Sequence, residues 1–98
     1  MQTHILKCWP QYFDAIKRGE KTFEARRDDR GFQCGDIVEL HRTSERFKEM
    51  VDFDLNGKPR HVLRFKIGWM LSGQFGIQPG YVILSLLPVP PQEDQSDD

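Results

Sequence analysis

Between residues 19 and 27 the chain reads GEKTFEARR, which puts an ammonium, a carboxylate and a guanidinium close together at Lys21, Glu24 and Arg26. Glu24 and Arg26 are two apart, so on a strand they project from one face, about 7 Å from each other. A carboxylate there accepts hydrogen bonds from the exocyclic amine of a base. A guanidinium forks onto a phosphate or a carbonyl edge. Lys21 has the opposite parity and joins the pair only if the strand starts irregularly or with a bulge. Arg27 and Arg30 could add phosphate contacts from the charged stretch that follows. Trp9, Tyr12, Phe32 and Tyr81 are candidates for a stacking surface, because aromatics beside basic groups are how proteins hold unpaired bases. Each group also has a plainer reading. Glu24 and Arg26 could be an ion-pair network on a solvated face, residues 27–30 a solvated loop, and Trp9, Phe13 and Phe23 core aromatics. Lys7 reads as a solvated lysine. His4, His41 and His61 are given no role.

The elements that must position these groups follow from local pattern. Residues 4–7 make a short opening strand. Pro10 suits the first turn of a helix, where its missing N–H would be unpaired in any case. Tyr12, Phe13 and Ile16 continue at helical spacing to residue 18, and Gly19 supplies the stop. Residues 22–27 form a strand with Phe23 and Ala25 inward and Thr22, Glu24 and Arg26 on the other face. Gly35 and Asp36 turn the chain into a strand over 37–42. Residues 43–49 fit a loop or a helical turn. Val51, Phe53 and Leu55 alternate with Asp52 and Asp54 as a half-buried strand. Asn56-Gly57 then signals a type I′ hairpin turn. The return strand, 60–71, carries Leu63, Phe65, Ile67, Trp69 and Leu71 on one face. Residues 72–80 are a loop, and 81–87 a strand apolar on both faces. The order is β-α-β-β-β-β-β, a small mixed α+β barrel with one main helix. Phe23, Ala25, Val38, Leu40, Leu63, Phe65, Ile67 and Val82 are the expected core.

The 98 residues suffice for one core and are too few for two. Residues 1–88 are the expected domain, and 89–98 a Pro-rich, acidic, disordered tail. Without Glu93, Asp94, Asp97 and Asp98 the balance is 14 basic to 11 acidic groups, so a net charge of −1 becomes +3. That permits phosphate contact without demanding it. No run approaches the roughly 20 apolar residues of a membrane span, and no signal peptide is visible, so the cytosol is the expected compartment. Cys8 and Cys34 have no paired spacing and the histidines are scattered. Two free thiols, no metal and no cofactor are expected.

The stretch GEKTFEAR fits the G-x-K-x-x-E-x-R signature of ASCH domains, a branch of the PUA-like β-barrels, at Gly19, Lys21, Glu24 and Arg26. The following F-x-x-G-D, Phe32 to Asp36, resembles the element that leads into the next strand of that group. The frame from His4 to Asp36, with the closing GIQPGYVILSL, resembles a family of small proteins from bacteria and their phages without assigned function. The resemblance implies a PUA-like barrel that binds RNA or a modified nucleoside. Lys21, Arg26 and Arg27 would then meet phosphate and Glu24 a base edge. It also suggests an enzyme, since some ASCH proteins are amidohydrolases acting on N4-acylated cytidine. Lys21 falls on their lysine position, whereas Glu24 replaces their threonine and removes the hydroxyl that would be activated. In that reading Glu24 is a general base on water and Lys21 polarises the carbonyl. A third class is a protein-interaction module.

Overall fold

A computed structural model describes residues 1–89, so the expected disordered tail lies, from residue 90 on, outside the described residues. The order is β1 (Thr3–Cys8), α1 (Pro10–Lys17), β2 (Phe23–Arg27), β3 (Ile37–Arg42), β4 (Val62–Ser72) and β5 (Tyr81–Pro88). The strands form one sheet in the order β1-β3-β4-β5-β2. β1 pairs with β3 in parallel and every other pairing is antiparallel. The sheet curls into a half-barrel, an α+β arrangement with one helix. Its two edges, β1 and β2, are consecutive strands joined through α1.

Alternation explains β1, where His4, Leu6 and Cys8 turn inward and Thr3, Ile5 and Lys7 outward. α1 begins with Pro10 in its first turn and buries Pro10, Phe13 and Ile16 along one side. It stops at Gly19 (φ 83°), where Gly19 N–H donates to the Ile16 carbonyl and Glu20 N–H to the Ala15 carbonyl, both at 3.0 Å. This 5→2 and 6→1 pair is a Schellman cap, and it needs the left-handed conformation that glycine adopts freely. Val38 and Leu40 of β3, Ile67 of β4, and Val82, Leu84 and Leu86 of β5 close the core with the β1 and α1 residues.

Several expectations are corrected. There is no sixth strand at Val51–Leu55. That segment makes only two isolated bridges, Thr43 to Val51 and Phe53 to Pro59. Pro59 has no N–H to extend a ladder. Asn56-Gly57 is not a type I′ turn, since only Gly57 has positive φ. The Asp54 carboxylate accepts from Asn56 N–H at 2.8 Å and Lys58 N–H at 3.0 Å, and organises the reversal instead.

β2 has the expected shared face but the opposite sense: Glu24 is buried and Phe23 and Ala25 are exposed. In β4 the pairing register shifts between Ile67 and Met70. The shift reverses the alternation, so Ile67 is buried, Met70 packs against the core and Trp69 stands in solvent. Leu63 and Phe65 are partly buried against the core. β5 buries one face only. Phe32, a stacking candidate, is itself core, 4.7 Å from the His4 ring, and has no face to offer a ligand.

Candidate functional site

Because β1 and β2 are both sheet edges, no backbone ladder joins them. Arginines span the seam instead. Arg26 donates to the Lys7 carbonyl. Arg30 Nη1 donates to the Ile5 carbonyl at 2.8 Å. At this seam lies an open cleft of about 530 Å³. One end of β1 supplies Lys7 and Cys8, the start of α1 Trp9 and Tyr12, β2 residues 24–27, and the start of β5 Tyr81. Arg30 and Glu49 complete the lining.

Glu24 organises the site. Its side chain is 7% exposed and meets Lys21 Nζ at 3.1 Å through Oε1 and Arg26 Nη2 at 2.7 Å through Oε2. Arg26 Nε donates to the same Oε2 at 2.9 Å. A buried carboxylate with two cations is a costly group kept by good geometry. Lys21 lies before β2 begins, which resolves its parity. From there its Nζ reaches back to Glu24, donates to the Phe23 carbonyl at 2.6 Å and sits over the Phe23 and Tyr12 rings. Lys21, Glu24 and Arg26 are therefore mutually paired. Glu24 and Arg26 line the cleft, whereas Lys21 supports it from behind Glu24.

Trp9 and Tyr12 stack on each other, with centroids 5.9 Å apart and planes 12° apart. Lys48 Nζ lies over Trp9 at 5.4 Å. Arg27 faces Tyr81 across the β2–β5 pairing, its Cζ 5.7 Å from the ring centroid. The cleft thus has aromatics on two walls, a fixed acceptor in Glu24, and the cations Lys7, Arg26, Arg27 and Arg30. Cys8 lines it too, but burial, and next the charge of Glu24, push its thiol up to about 12. It is a protonated floor residue and not a nucleophile at neutral pH.

Of the expected site residues, Trp9, Glu24, Arg26, Arg27 and Tyr81 share this cleft, Lys21 stands directly behind it, and Phe32 is elsewhere. Tyr12 and Arg30, the further stacking and phosphate candidates, line it too, and Lys7, Cys8 and Glu49 are additions. Lys7 read as a solvated lysine because nothing in sequence shows that β1 and β2 meet at a seam. Glu49 comes from the irregular 43–61 connection, and its carbonyl accepts from Lys7 Nζ at 2.9 Å.

Two of the histidines meet carboxylates, and His61 lies edge-on to the Phe13 ring. His4 Nε2 is 2.9 Å from Asp36 Oδ2, and His41 Nε2 is 2.8 Å from Glu39 Oε2. Among the described residues no three His, Cys, Asp or Glu side chains gather as metal ligands, and no helix is long and apolar enough to cross a membrane.

No curated protein matches the chain. Residues 3–86, which hold every strand but the end of β5 and every residue of the cleft, match the family model described as Domain of unknown function (DUF3850), and the chain belongs to that family.

Proposed function

We propose that the protein is a binding module for RNA or a modified nucleoside, and that its family sits within the wider ASCH, PUA-like group. One observation carries this reading. The signature carboxylate Glu24 is held by Lys21 and Arg26 on the wall of an open cleft flanked by Trp9, Tyr12 and Tyr81. Each carboxylate oxygen has two lone-pair directions. The two cations leave acceptor capacity for the amine of a base, and the aromatic walls supply stacking. Its volume falls within the range of about 300–1,000 Å³ usual for small-ligand sites.

Binding is favoured over catalysis by what the groups are doing. Lys21 is committed to Glu24 and the Phe23 carbonyl, and it does not line the cleft. No serine or threonine is among the lining residues, and the Cys8 thiol is protonated. The side-chain nucleophile of a covalent acyl-transfer route is missing from the wall. For attack by water, the base Glu24 is already paired with two cations while Lys21 is off the lining.

The test is a titration of single-stranded RNA and of the common nucleosides, beside a hydrolysis assay on N4-acetylcytidine. Tyr81→Ala and Trp9→Ala should each weaken binding by about 1–3 kcal/mol, the scale of one base–aromatic stack. Glu24→Gln should change base preference, because the amide offers a donor where the carboxylate offered an acceptor. Absence of binding to every nucleoside and RNA tested sinks the reading. Cleavage of N4-acetylcytidine that is lost in Lys21→Ala would replace it with the amidohydrolase.

A further inference from the structure

The cations of the cleft are not equivalent. Arg26 is spent on Glu24. Lys7, Arg27 and Arg30 instead meet neutral oxygens. Lys7 Nζ donates to the Glu49 carbonyl at 2.9 Å, Arg27 Nη2 to the Tyr81 hydroxyl at 3.5 Å, and Arg30 Nη1 to the Ile5 carbonyl at 2.8 Å. Among the described residues neither Lys7 nor Arg27 has a carboxylate within ion-pair distance, and Arg30 has only the rim contact to Asp29, at 4.0 Å. The Glu49 carboxylate is a single opposing charge. Three cations in one cleft against one such carboxylate leave a positive field at the seam.

We propose that this seam between β1 and β2 seats a phosphate, received by Lys7, Arg27 and Arg30, so that the ligand of the cleft is a phosphorylated nucleoside unit and not a bare nucleoside. The proposal rests on the base-binding reading above and adds the second half of the ligand. Guanidinium and ammonium groups held by carbonyls and a hydroxyl have donors to spare, and a charged phosphate oxygen is a stronger acceptor than any of these. Arg30 spans the seam to a β1 carbonyl that has no strand partner on that side, so it can keep that bond and still fork onto an anion. The base would lie against Glu24 and the aromatics, and the phosphate would lie over the seam. The unit comes from one of two sources, a free nucleotide or one residue of a single strand, and its chemistry is the same in both.

The test uses the full chain and calorimetric titration. The ligands are the four ribonucleosides, their 5′-monophosphates, inorganic phosphate and a short single-stranded RNA. At least one monophosphate should bind about tenfold or more tightly than its nucleoside, the scale of one charge-assisted hydrogen bond. That advantage should shrink as salt is raised. The double variant Lys7→Ala, Arg30→Ala should remove most of the monophosphate's advantage over its nucleoside, the remainder resting on Arg27. Arg27→Gln, which leaves both seam-facing positions intact, should give a partial loss. Glu49→Gln should tighten the monophosphate alone.

Tighter binding of the RNA assigns the phosphate to a strand, and tighter binding of a monophosphate assigns it to a free nucleotide. Either supports the proposal. Equal affinity for nucleoside and monophosphate overturns it and leaves the base reading standing. Inorganic phosphate binding as tightly as every monophosphate keeps the phosphate seat and overturns the base reading. No binding of any ligand, inorganic phosphate included, overturns both.

Discussion

Thr43 is wholly enclosed just past the end of β3, and its hydroxyl has no hydrogen-bond partner among the described residues. Its backbone N–H is satisfied by the Cys8 carbonyl at 2.9 Å, so the cost falls on the side chain alone. A buried hydroxyl without a partner costs about 1–3 kcal/mol. Thr43→Val keeps the shape and removes the orphan oxygen, and it should raise stability by about 1 kcal/mol in urea unfolding. A drop of that size would mean that the hydroxyl has a partner in solution. Cys8 gives a second residue-scale test. Cys34 is exposed, whereas Cys8 is buried with its thiol held up to about 12. Iodoacetamide at neutral pH should therefore add one group by mass spectrometry, on Cys34, and a second only after unfolding. What sequence conveyed at this scale was parity. Spacing put Glu24 and Arg26 on one face, and they share it. Spacing does not say which face is inside. A charged face is assigned outward by default, and here it turns inward because the barrel wall at β2 borders an open cleft and not packed apolar side chains.

At the scale of elements, the helix and all five strands of the sheet were legible because each carries a local signal. Pro10 and Gly19 bracket α1, and the Gly35-Asp36 turn opens β3. The failures come where one residue changes the geometry. Pro59 stops the 51–60 reversal from becoming a hairpin ladder. The register shift between Ile67 and Met70 is invisible to a period-two count. Its mechanism lies in Gly68. A Cβ there would come within 2.8 Å of Leu87 Cδ1 and Ser85 Oγ, and Ser85 Oγ accepts from Trp69 N–H at 2.7 Å. The bulge lets β4 approach β5 closely and turns Trp69 out to 82% exposure, beside Phe23 and Leu71 in a shallow apolar groove of about 260 Å³. Bulges re-aim side chains in this way. Gly68→Ala should cost about 1–3 kcal/mol, the scale of overpacking, and should blue-shift the fluorescence of Trp69 if the bulge relaxes. The exposed Trp9 must be replaced by Phe in both chains for the reading to be clean. Unchanged stability would show that Leu87 swings aside freely.

The whole molecule is a sheet that curls without closing, and its stability depends on ties that bring β1 back to the loops beside it. Asp36 is the main tie. Its carboxylate accepts from Gln2 N–H and Gln33 N–H, each at 3.1 Å, and meets His4 Nε2 at 2.9 Å. Burial opposes the charged form, but the hydrogen bonds from His4, Gln2 and Gln33 outweigh it and hold the carboxyl below its ordinary value. On α1, the Arg42 guanidinium holds Asp14 below its ordinary value by a forked hydrogen bond. None of this was legible in sequence, because residues 14 and 42, or 4 and 36, become neighbours only when the sheet order is known. The sign of the consequence is fixed. A depressed carboxyl binds fewer protons folded than unfolded, so its contribution is fully present above the unfolded pKa and is lost as pH falls through the folded value. Stability should therefore hold above about pH 5 and decline below about pH 4, where free aspartate is about half protonated. Asp36→Asn keeps one acceptor and cannot titrate. It should lower stability at pH 7 and flatten the decline below pH 4, so that the two chains converge in acid. Urea midpoints taken from pH 7 down to pH 3 measure both effects. Parallel curves for the two chains would show that Asp36 is not the carboxyl that acid reaches.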